Sequence, residues 1–403
     1  DYRYDFEEIL SEPRNVPNDL YFDLLWGLDN QGQGGGTAGA DIDAPEAWEL
    51  TTGSDEVIVA VIDSGVDVRH PDLAANLWTN PGETGVDTNG LNKASNGVDD
   101  DGNGYIDDVH GANFTMPTNT LWNGDPYDII GHGTHVAGTI GAAGNNLAGV
   151  VGVNWDVRLM ACKIGDYGVS SFAAAKAMEY ALQYGAKVSN NSWGGPGESA
   201  LFREAIEMAR SQGALVICAA GNSGVDNGLL PHYPSNNDSD NVISVAATDR
   251  DDLLASFSNF GKEEVDIAAP GVDVVSTMPR IRGSYGAMSG TSMAAPHVTG
   301  VAALLQAYSP DASYEMIRDA LLDGAVRDPA LMPKIGSGGH LSAFRSLQAL
   351  GAGWIGIDPS GATLAPTTST NVNLTFNSGG LLSPSPPAAP YEADIVVSQV
   401  GSQ

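Results

Sequence analysis

A serine stands at the start of a helix-forming segment, where it could act as a nucleophile. Ser292 follows Gly290 and precedes a run of small and apolar residues that extends to Leu305. The positive end of a helix dipole, with its unpaired N–H groups, stabilises the oxyanion formed when such a serine reacts. Serine is also a preferred helix N-cap, so this stretch alone favours a capping role. Two further stretches favour catalysis.

An aspartate and a histidine occupy comparable positions earlier in the chain. The β-branched run Glu56–Ile62 predicts a buried parallel strand, and Asp63 follows it directly. A buried carboxylate needs a partner, because an unpaired charge is costly to bury; capping of a turn is the alternative role. His132 lies between glycines before a predicted helix at Val136–Ala143. His132 and His135 could form a metal pair, but no third ligand is near, so a general base is favoured over zinc.

Strands and helices alternate over most of the chain, which predicts an α/β fold with a mostly parallel central sheet and helices on both faces. We predict further strands at Val157–Ile164, Ala186–Ser192, Ala214–Ala220, Val242–Ala247 and Val265–Ala269, and helices at Ser171–Tyr184, Ala200–Gln212, Ala294–Tyr308 and Ser313–Gly324. The carboxyl ends of parallel strands meet at one sheet edge, so we expect Asp63, His132 and Ser292 to converge there. In such a triad the histidine removes the serine proton and the aspartate fixes the histidine tautomer.

Oxygen-bearing side chains alternate in an acidic loop at Asn96–Asp108. Hard oxygen ligands followed by a glycine at a sharp turn are typical of the first half of an EF-hand calcium loop. The candidate ligands are Asp99, Asp101, Asn103 and the carbonyl of Tyr105. His110 stands where the EF-hand pattern has glutamate, so Asp107 or Asp108 would have to close the site. The pattern favours calcium over a merely solvated acidic loop.

The charge and the apolar pattern exclude several classes of partner. Among 403 residues, 50 are acidic and 18 are basic, which gives a net charge of −32. This charge argues against binding to nucleic acids or anionic membranes and favours cation binding. No apolar run reaches the roughly 18 residues of a membrane span. Cys162 and Cys218 lie in apolar runs, and buried free thiols are favoured over a disulfide.

Changes in composition divide the chain into three predicted parts. Residues 1–16 are polar and acidic, which indicates a linker or the remnant of a pro-segment. Residues 17–350 form the predicted α/β domain. Residues 351–403 carry Ser, Thr and Pro clusters between short alternating runs, which predicts part of an antiparallel β module. Those runs are Ala362–Leu364, Val372–Phe376 and Ala393–Val397.

Five stretches of the chain together resemble the subtilisin-like serine proteases, the subtilases. The matching segments are VAVIDSGVDVRHPDL around Asp63, GHGTHVAGT around His132, NNSWGG at Asn190–Gly195, AAGNSG around Asn222 and GTSMAAPHVTG around Ser292. The chain order Asp, His, Ser is also that of this family. The resemblance extends from about Pro17 to Leu350 and covers most of the chain.

The resemblance implies a role for individual residues of the active site. Asp63, His132 and Ser292 would be the triad, and Asn222 would bind the oxyanion with the N–H of Ser292. Two edges would pair with an extended substrate, Asp166–Gly168 and the run Ser192, Trp193, Gly194 and Gly195. Gly221 and His232 fall where the family builds its primary pocket.

The resemblance further implies calcium as a cofactor, a pro-segment and secretion. A high-affinity calcium site would use Asp19, Asp72 and Asn146 together with the carbonyls of Gly144, Ala148 and Val150. The acidic loop with Asp108 is an insertion relative to the shortest members. The partners would be protein or peptide substrates, the enzyme would be a monomer, and residues 352–403 resemble an immunoglobulin-like module.

Two function classes remain on the sequence alone. One is a secreted, calcium-dependent endopeptidase that acts through an acyl-enzyme. The other is a binding or adhesion protein in which the protease fold is only a scaffold. Because all four catalytic positions carry competent residues, the sequence favours the endopeptidase, and reaction with a serine-directed inhibitor distinguishes the two.

Overall fold

A mostly parallel sheet forms the centre of the computed structural model, which describes residues 14–118, 121–352, 355–358 and 373–376. Within those residues the sheet has eleven strands in the order β12-β13-β9-β8-β7-β6-β1-β5-β3-β4-β2. The strands are β1 Gly53–Asp63, β2 Tyr105–Ile106, β3 Gly111–Thr118, β4 Leu121–Asn123, β5 Asp156–Lys163, β6 Val188–Asn191, β7 Leu215–Ala219, β8 Val242–Thr248, β9 Ile267–Pro270, β12 Val326–Arg327 and β13 Gly339–His340. The β3–β4 and β12–β13 pairs are antiparallel, and the other pairs are parallel.

Helices cover both faces of this sheet. The helices of the described residues are α1 Ala44–Ala47, α2 His132–Gly141, α3 Ser171–Gln183, α4 Ala200–Ser211, α5 Thr291–Tyr308, α6 Tyr314–Asp323 and α7 Ala343–Ala352. Buried residues of α2 and α5 share one apolar core, and those of α3 and α4 share a second. The predicted α/β fold with a parallel central sheet is therefore confirmed.

The central strand β1 shows why its apolar run was readable from the sequence. It pairs in parallel with β5 on one side and β6 on the other, so all its inner positions are covered. Val59 and Val61 face the core that contains α2 and α5, whereas Ala60 and Ile62 face the core that contains α3 and α4. A strand buried on both faces is apolar throughout, and it delivers Asp63 to the edge of the sheet.

Both helices that carry predicted catalytic residues begin earlier than the sequence indicates. Helix α2 begins at His132 instead of Val136 and ends at Gly141, and α5 begins at Thr291 instead of Ala294. His132 and Ser292 therefore lie in the first turn of their helices. The earlier α2 start leaves no periodic signal in the sequence, because the first N–H groups of that helix are held by the side chains of Asp128, which precedes the helix, and of Ser64, which is distant in the chain.

A hairpin that the sequence does not indicate packs beside α2. Strand β10, Val274–Thr277, pairs in antiparallel fashion with β11, Tyr285–Met288. The hydroxyls of Ser276 and Thr277 donate to the carbonyls of His135 and Thr134, each at 2.7 Å. The hairpin thus holds the first turns of the helix that begins with His132.

The chain divides into two compact units, Asp1–Leu350 and Gly351–Gln403. In the second unit, β14, Ile355–Asp358, pairs in antiparallel fashion with β15, Asn373–Phe376. The predicted runs Ala362–Leu364 and Ala393–Val397 lie outside the described residues, as do residues 1–13. The three-part domain assignment, including the immunoglobulin-like module, therefore stays a prediction.

The two cysteines are free and fully buried. Cys162 lies on β5 and Cys218 on β7, and strands β1 and β6 separate them in the sheet. Three strand spacings amount to about 14 Å, well beyond the reach of a disulfide. Burial raises the pKa of both thiols, which makes them poor nucleophiles.

Candidate active site and calcium-binding residues

Asp63 ends β1 as a buried carboxylate with a defined partner. Its Oδ1 accepts hydrogen bonds from the N–H of Ser64 and from Nδ1 of His132, both at 2.7 Å. Oδ2 is buried and has no hydrogen-bond partner among the described residues. A carboxylate bonded to Nδ1–H fixes the tautomer in which Nε2 of His132 is free to accept a proton.

His132 opens α2 at a place where the backbone approaches the catalytic strand closely. A side chain on Gly133 would place its Cβ 2.2 Å from the carbonyl oxygen of Gly65, so only glycine allows this approach. The side chain of His132 remains 26% exposed, on the open side of the site. Burial lowers the pKa of His132, but the negative charges of Asp63 and Asp128 outweigh it, and the net pKa is raised.

Ser292 lies in the first turn of α5 and does not cap it. Its hydroxyl donates to the carbonyl of Ser192 at 3.0 Å, and no hydrogen bond joins it to His132 within the described structure. Pro296 lacks the N–H that would bond the Ser292 carbonyl, and the hydroxyl of Ser192 donates to that carbonyl instead, at 2.9 Å. These two hydrogen bonds hold Ser292 beside Ser192, which directly follows β6. A change of side-chain rotamer redirects its hydroxyl, and catalytic hydrogen bonds are often unformed without substrate.

Asn222 follows β7, and its amide orientation is set by the turn before Ser292. Its Oδ1 accepts hydrogen bonds from the N–H and the hydroxyl of Thr291, at 2.8 and 3.0 Å. The amide Nδ2 therefore points away from Thr291. The Cβ that a side chain at Gly290 would carry lies 3.5 Å from this Nδ2 and 3.6 Å from the N of Ser292. The two nitrogens thus lie within 3.6 Å of one point, as the two donors of an oxyanion site must.

The second predicted substrate edge lines a groove that also reaches the residue after the first edge. Val169, directly after Gly168, lines it together with Trp193 and Gly194. Asp166 accepts a hydrogen bond from Lys163 at 2.6 Å, and Lys163 also donates to the carbonyl of Ser64 at 2.9 Å. The first edge is thus tied to the end of β1. The second edge is tied to the opposite wall, where Gly195 and Tyr233 exchange two backbone hydrogen bonds of 2.9 and 2.8 Å.

His232 lies close to Gly194 of the second predicted substrate edge and to Gly221 of the predicted primary pocket. A Cβ on Gly194 would come 2.3 Å from Cε1 of His232, and a Cβ on Gly221 would come 3.0 Å from its Cδ2. The hydroxyl of Ser235 donates to the carbonyl of His232 at 2.6 Å and lies 3.3 Å from its Nδ1. Since that hydroxyl hydrogen is already used, Nδ1 acts as the donor and Nε2 as the acceptor. Burial lowers the pKa of His232, so the neutral imidazole is favoured.

The acidic loop brings carboxylates together from two segments. Oxygen atoms of Glu83, Asp99 and Asp101 lie within 4.8 Å of one another. Glu83 is fully buried, and its Oε2 has no hydrogen-bond partner among the described residues. Burial and the charges of Asp108 and Asp101 raise the pKa of Glu83 to about 7. The sequence does not single out Glu83, because it lies in a Pro-Gly-Glu turn before the loop.

The other predicted ligands of the loop surround this cluster. Asp108 is fully buried and accepts hydrogen bonds from Asn80 at 3.1 Å and from Asn103 at 2.8 Å. Burial raises the pKa of Asp108 to about 6. Tyr105 begins β2, between Asn103 and Asp108 in the chain. Asp107 instead accepts a hydrogen bond from the backbone N–H of Gly97, near the start of the loop. Of the two aspartates considered for closing the loop, Asp108 is the one that lies against the cluster.

The second predicted calcium site also has an unpaired carboxylate oxygen. Asp72 is fully buried and accepts hydrogen bonds from Nδ2 of Asn146 and from the N–H of Val150, both at 2.8 Å. Asp19 accepts a backbone N–H of the same loop through Oδ2, and its buried Oδ1 has no partner among the described residues. The loop also contains the two remaining predicted carbonyl ligands, Gly144 and Ala148. Distant segments of the chain therefore meet here.

Comparisons with known proteins agree with this fold. The sequence model of the subtilase family matches residues 54–353. Subtilisin-like protease 1 of Plasmodium berghei is 34% identical over 350 residues, which are 82% of this chain and 54% of that protein. Thermitase of Thermoactinomyces vulgaris is 36% identical over 274 residues, which are 68% of this chain and 82% of thermitase.

A solved structure of a protease from Pseudoalteromonas arctica superimposes with a TM-score of 0.65 at 29% identity, covering 83% of this chain and 99% of that one. The class that these matches define is a subtilisin-like serine protease. The chain belongs to the subtilase family. It spans about half the length of the Plasmodium relative.

Proposed function

We propose that this protein is a secreted, calcium-dependent endopeptidase that hydrolyses peptide bonds through an acyl-enzyme. The observation that carries the proposal is the 2.7 Å hydrogen bond between Asp63 and Nδ1 of His132. The position of Ser292 in the first turn of an apolar helix and the oriented amide of Asn222 support it further. This combination supplies a base, a nucleophile and an oxyanion site.

Asp63, His132, Ser292 and Asn222 all take part in the proposed reaction. Nε2 of His132 takes the hydroxyl proton of Ser292 as the oxygen attacks the scissile carbonyl carbon. Nδ2 of Asn222 and the N–H of Ser292 hold the oxyanion, and Asp63 stabilises the imidazolium. His132 then gives its proton to the leaving amine, which departs as the acyl-enzyme forms. Water, deprotonated by His132, hydrolyses the ester and restores Ser292.

The proposed function is tested by hydrolysis of an unstructured protein substrate in the presence and absence of a sulfonyl fluoride. We expect cleavage at internal peptide bonds that the inhibitor abolishes. Cleavage that persists after full reaction with the inhibitor, or no cleavage of any substrate by the folded protein, would contradict the proposal.

The pH dependence should report the protonation of His132. Because its pKa is raised, we expect the acid limb of kcat/KM to lie above the ordinary histidine value of about 6.5. Activity should fall as the pH drops through that limb, since the imidazolium cannot accept the serine proton. The measurement is kcat/KM for one peptide across pH 5 to 9 (a roughly neutral range that brackets the value). An acid limb well below the ordinary value would refute the assigned environment.

Calcium is the cation that fits the two acidic clusters. Glu83 and Asp19 each carry a buried carboxylate oxygen without a partner, and burial of unpaired charge is unfavourable. Around Glu83, Asp99 and Asp101 supply further oxygens, a donor set of the kind that Ca²⁺ prefers. Calcium bound there would neutralise the carboxylates and join the turn at Glu83 to the acidic loop.

Removal of calcium should destabilise the fold while leaving the triad intact. A ligand that binds only the folded state adds about 2.7 kcal/mol per site at a hundredfold excess over its Kd. We therefore expect excess chelator to lower the Tm of the inhibitor-blocked enzyme. Glu83→Gln should reduce the calcium-dependent part of the Tm, whereas Glu198→Gln, at an exposed glutamate, should not. Superimposable melting curves with calcium and with chelator would exclude structural calcium.

His232 is proposed to form the floor of the primary pocket. Its ring lies between Gly194 and Gly221, and the assigned tautomer leaves Nε2 as an acceptor. At neutral pH the pocket should therefore favour P1 side chains that donate a hydrogen bond, and protonation at low pH should shift preference toward acidic ones. We expect His232→Ala to change the P1 profile of a peptide library and its pH dependence. Identical profiles for the two enzymes would show that His232 does not contact P1.

Three further features belong to the same proposal. Secretion, an N-terminal pro-segment and a monomeric enzyme are expected from the family. None of the helices that the structure describes is long and apolar enough to cross a membrane.

A further inference from the structure

A second buried carboxylate lies next to the proposed Asp–His pair. Asp128 is fully buried in the segment before α2. Its carboxylate accepts five hydrogen bonds, from the hydroxyl of Ser64 at 3.0 Å, the N–H groups of Ile130 and Gly131 at 2.9 Å each, the N–H of Thr134 at 3.0 Å and the hydroxyl of Thr134 at 2.7 Å. The mechanism above assigns no task to this charge.

These hydrogen bonds close a ring that contains both members of the pair. Ser64 donates its N–H to Oδ1 of Asp63, and its hydroxyl accepts the N–H of Gly133 while it donates to Asp128. Asp128 in turn holds the first N–H groups of the helix that begins with His132. The end of β1 and the start of α2 are therefore fixed to each other through one carboxylate.

The negative charge of Asp128 also acts on the imidazole. Together with Asp63, it raises the pKa of His132 against the effect of burial. On the same helix, His135 has its pKa lowered to about 4 by burial and is neutral near pH 7. From the segment after β10, Arg282 is exposed and donates to the carbonyl of Ile129. Asp128 is thus the second carboxylate whose charge stabilises the imidazolium.

We propose that Asp128 is a positioning residue for the catalytic pair: it sets the placement of His132 relative to Asp63 and adds a second fixed negative charge to the site. The inference rests on the proposed function, because it concerns the base of that reaction. An ordinary helix cap would contribute stability alone. A positioning residue also affects the geometry and the protonation of the base, and a misplacement of about 1 Å can cost about 10²-fold in rate.

The test compares Asp128→Asn with the unmodified enzyme. We expect kcat to fall by about 10- to 10²-fold with little change in KM. The acid limb of kcat/KM should move to lower pH, because a neutral amide no longer stabilises the imidazolium. The matched control is Asp41→Asn, at a buried carboxylate that accepts backbone N–H bonds from Asn30 and Asp43 before α1. That variant should change thermal stability without moving the acid limb.

A second pair of variants keeps the proposal testable if Asp128→Asn does not fold. Thr134→Val removes the 2.7 Å hydrogen bond to Asp128, together with the 3.0 Å bond that the hydroxyl accepts from the N–H of Asp67, and leaves the charge of Asp128. We expect kcat to fall while the acid limb stays in place. Thr134→Ser retains the hydroxyl and should restore kcat. Unchanged kcat and acid limb in folded Asp128→Asn, or unchanged kcat in Thr134→Val, would overturn the proposal. Failure of the proposed function would show separately, as the absence of Ser292-dependent hydrolysis in the unmodified enzyme.

Discussion

Replacement of Ser292 by alanine is expected to lower kcat on the order of 10⁶-fold, the loss seen when a subtilisin loses its nucleophile. The hydroxyl is the attacking atom in the proposed reaction, and the oxyanion donors and substrate contacts that remain give only residual catalysis. Stability should change little, because this hydroxyl donates to the Ser192 carbonyl and does not cap α5. The measurement is single-turnover hydrolysis together with thermal unfolding.

The matched control for this prediction is Ser313→Ala. The hydroxyl of Ser313 accepts the N–H of Met316 and caps α6, so it represents the capping role that the stretch around Ser292, taken alone, favours for that serine. Its loss should cost about 1 kcal/mol of stability and leave kcat unchanged. If Ser292→Ala behaved in the same way, with near-normal turnover and reduced stability, Ser292 would be a cap and not the nucleophile.

Replacement of Asn222 by alanine is expected to lower kcat by about 10²–10³-fold with little change in KM, the loss measured for the oxyanion-hole asparagine of subtilisin. The amide is oriented before substrate binds, because Thr291 occupies its Oδ1. Its donor therefore interacts with charge that develops only in the transition state.

Two additional variants separate this role from a structural one. Asn222→Asp keeps an acceptor for Thr291 and removes the donor, so it should lose activity as Asn222→Ala does. Asn241→Ala removes a buried amide that donates to the Ala214 carbonyl at 2.9 Å, and it should affect stability alone. A change confined to KM in the Asn222 variants would indicate substrate positioning and not oxyanion binding.

The parts of the fold that the sequence predicted correctly are those governed by local apolar pattern. The runs in β1 and β7 are apolar on both faces, so they identify buried parallel strands without tertiary information. The start of α2 at His132 depends on hydrogen bonds from its first N–H groups to Asp128 and to Ser64, which is distant in the chain, and such contacts leave no periodic signal. The hairpin β10–β11 was missed for a similar reason, since only half of its pattern is apolar.

In the candidate site, too, some residues can be predicted from the local sequence, whereas others depend on contacts between distant segments. Asp63, His132 and Ser292 lie in segments that can be recognised from the sequence. The structure shows a hydrogen bond between Asp63 and His132. The paired Ser192–Ser292 hydrogen bonds depend on Pro296 inside α5, and their partner cannot be read from the sequence. Glu83 precedes the acidic loop in the chain and meets Asp99 and Asp101 only because the chain folds back. The spacing of residues in the loop therefore could not identify it as a candidate ligand.

The most direct test of the central claim is to map the covalent adduct after reaction with a sulfonyl fluoride. Mass spectrometry of the intact chain and of its peptides gives the number of adducts and their position. We expect one adduct per chain, on the peptide that contains Ser292, and none in His132→Ala, where the hydroxyl is not activated. An adduct on another residue, or active enzyme that forms no adduct, would contradict the assignment of Ser292 as the nucleophile.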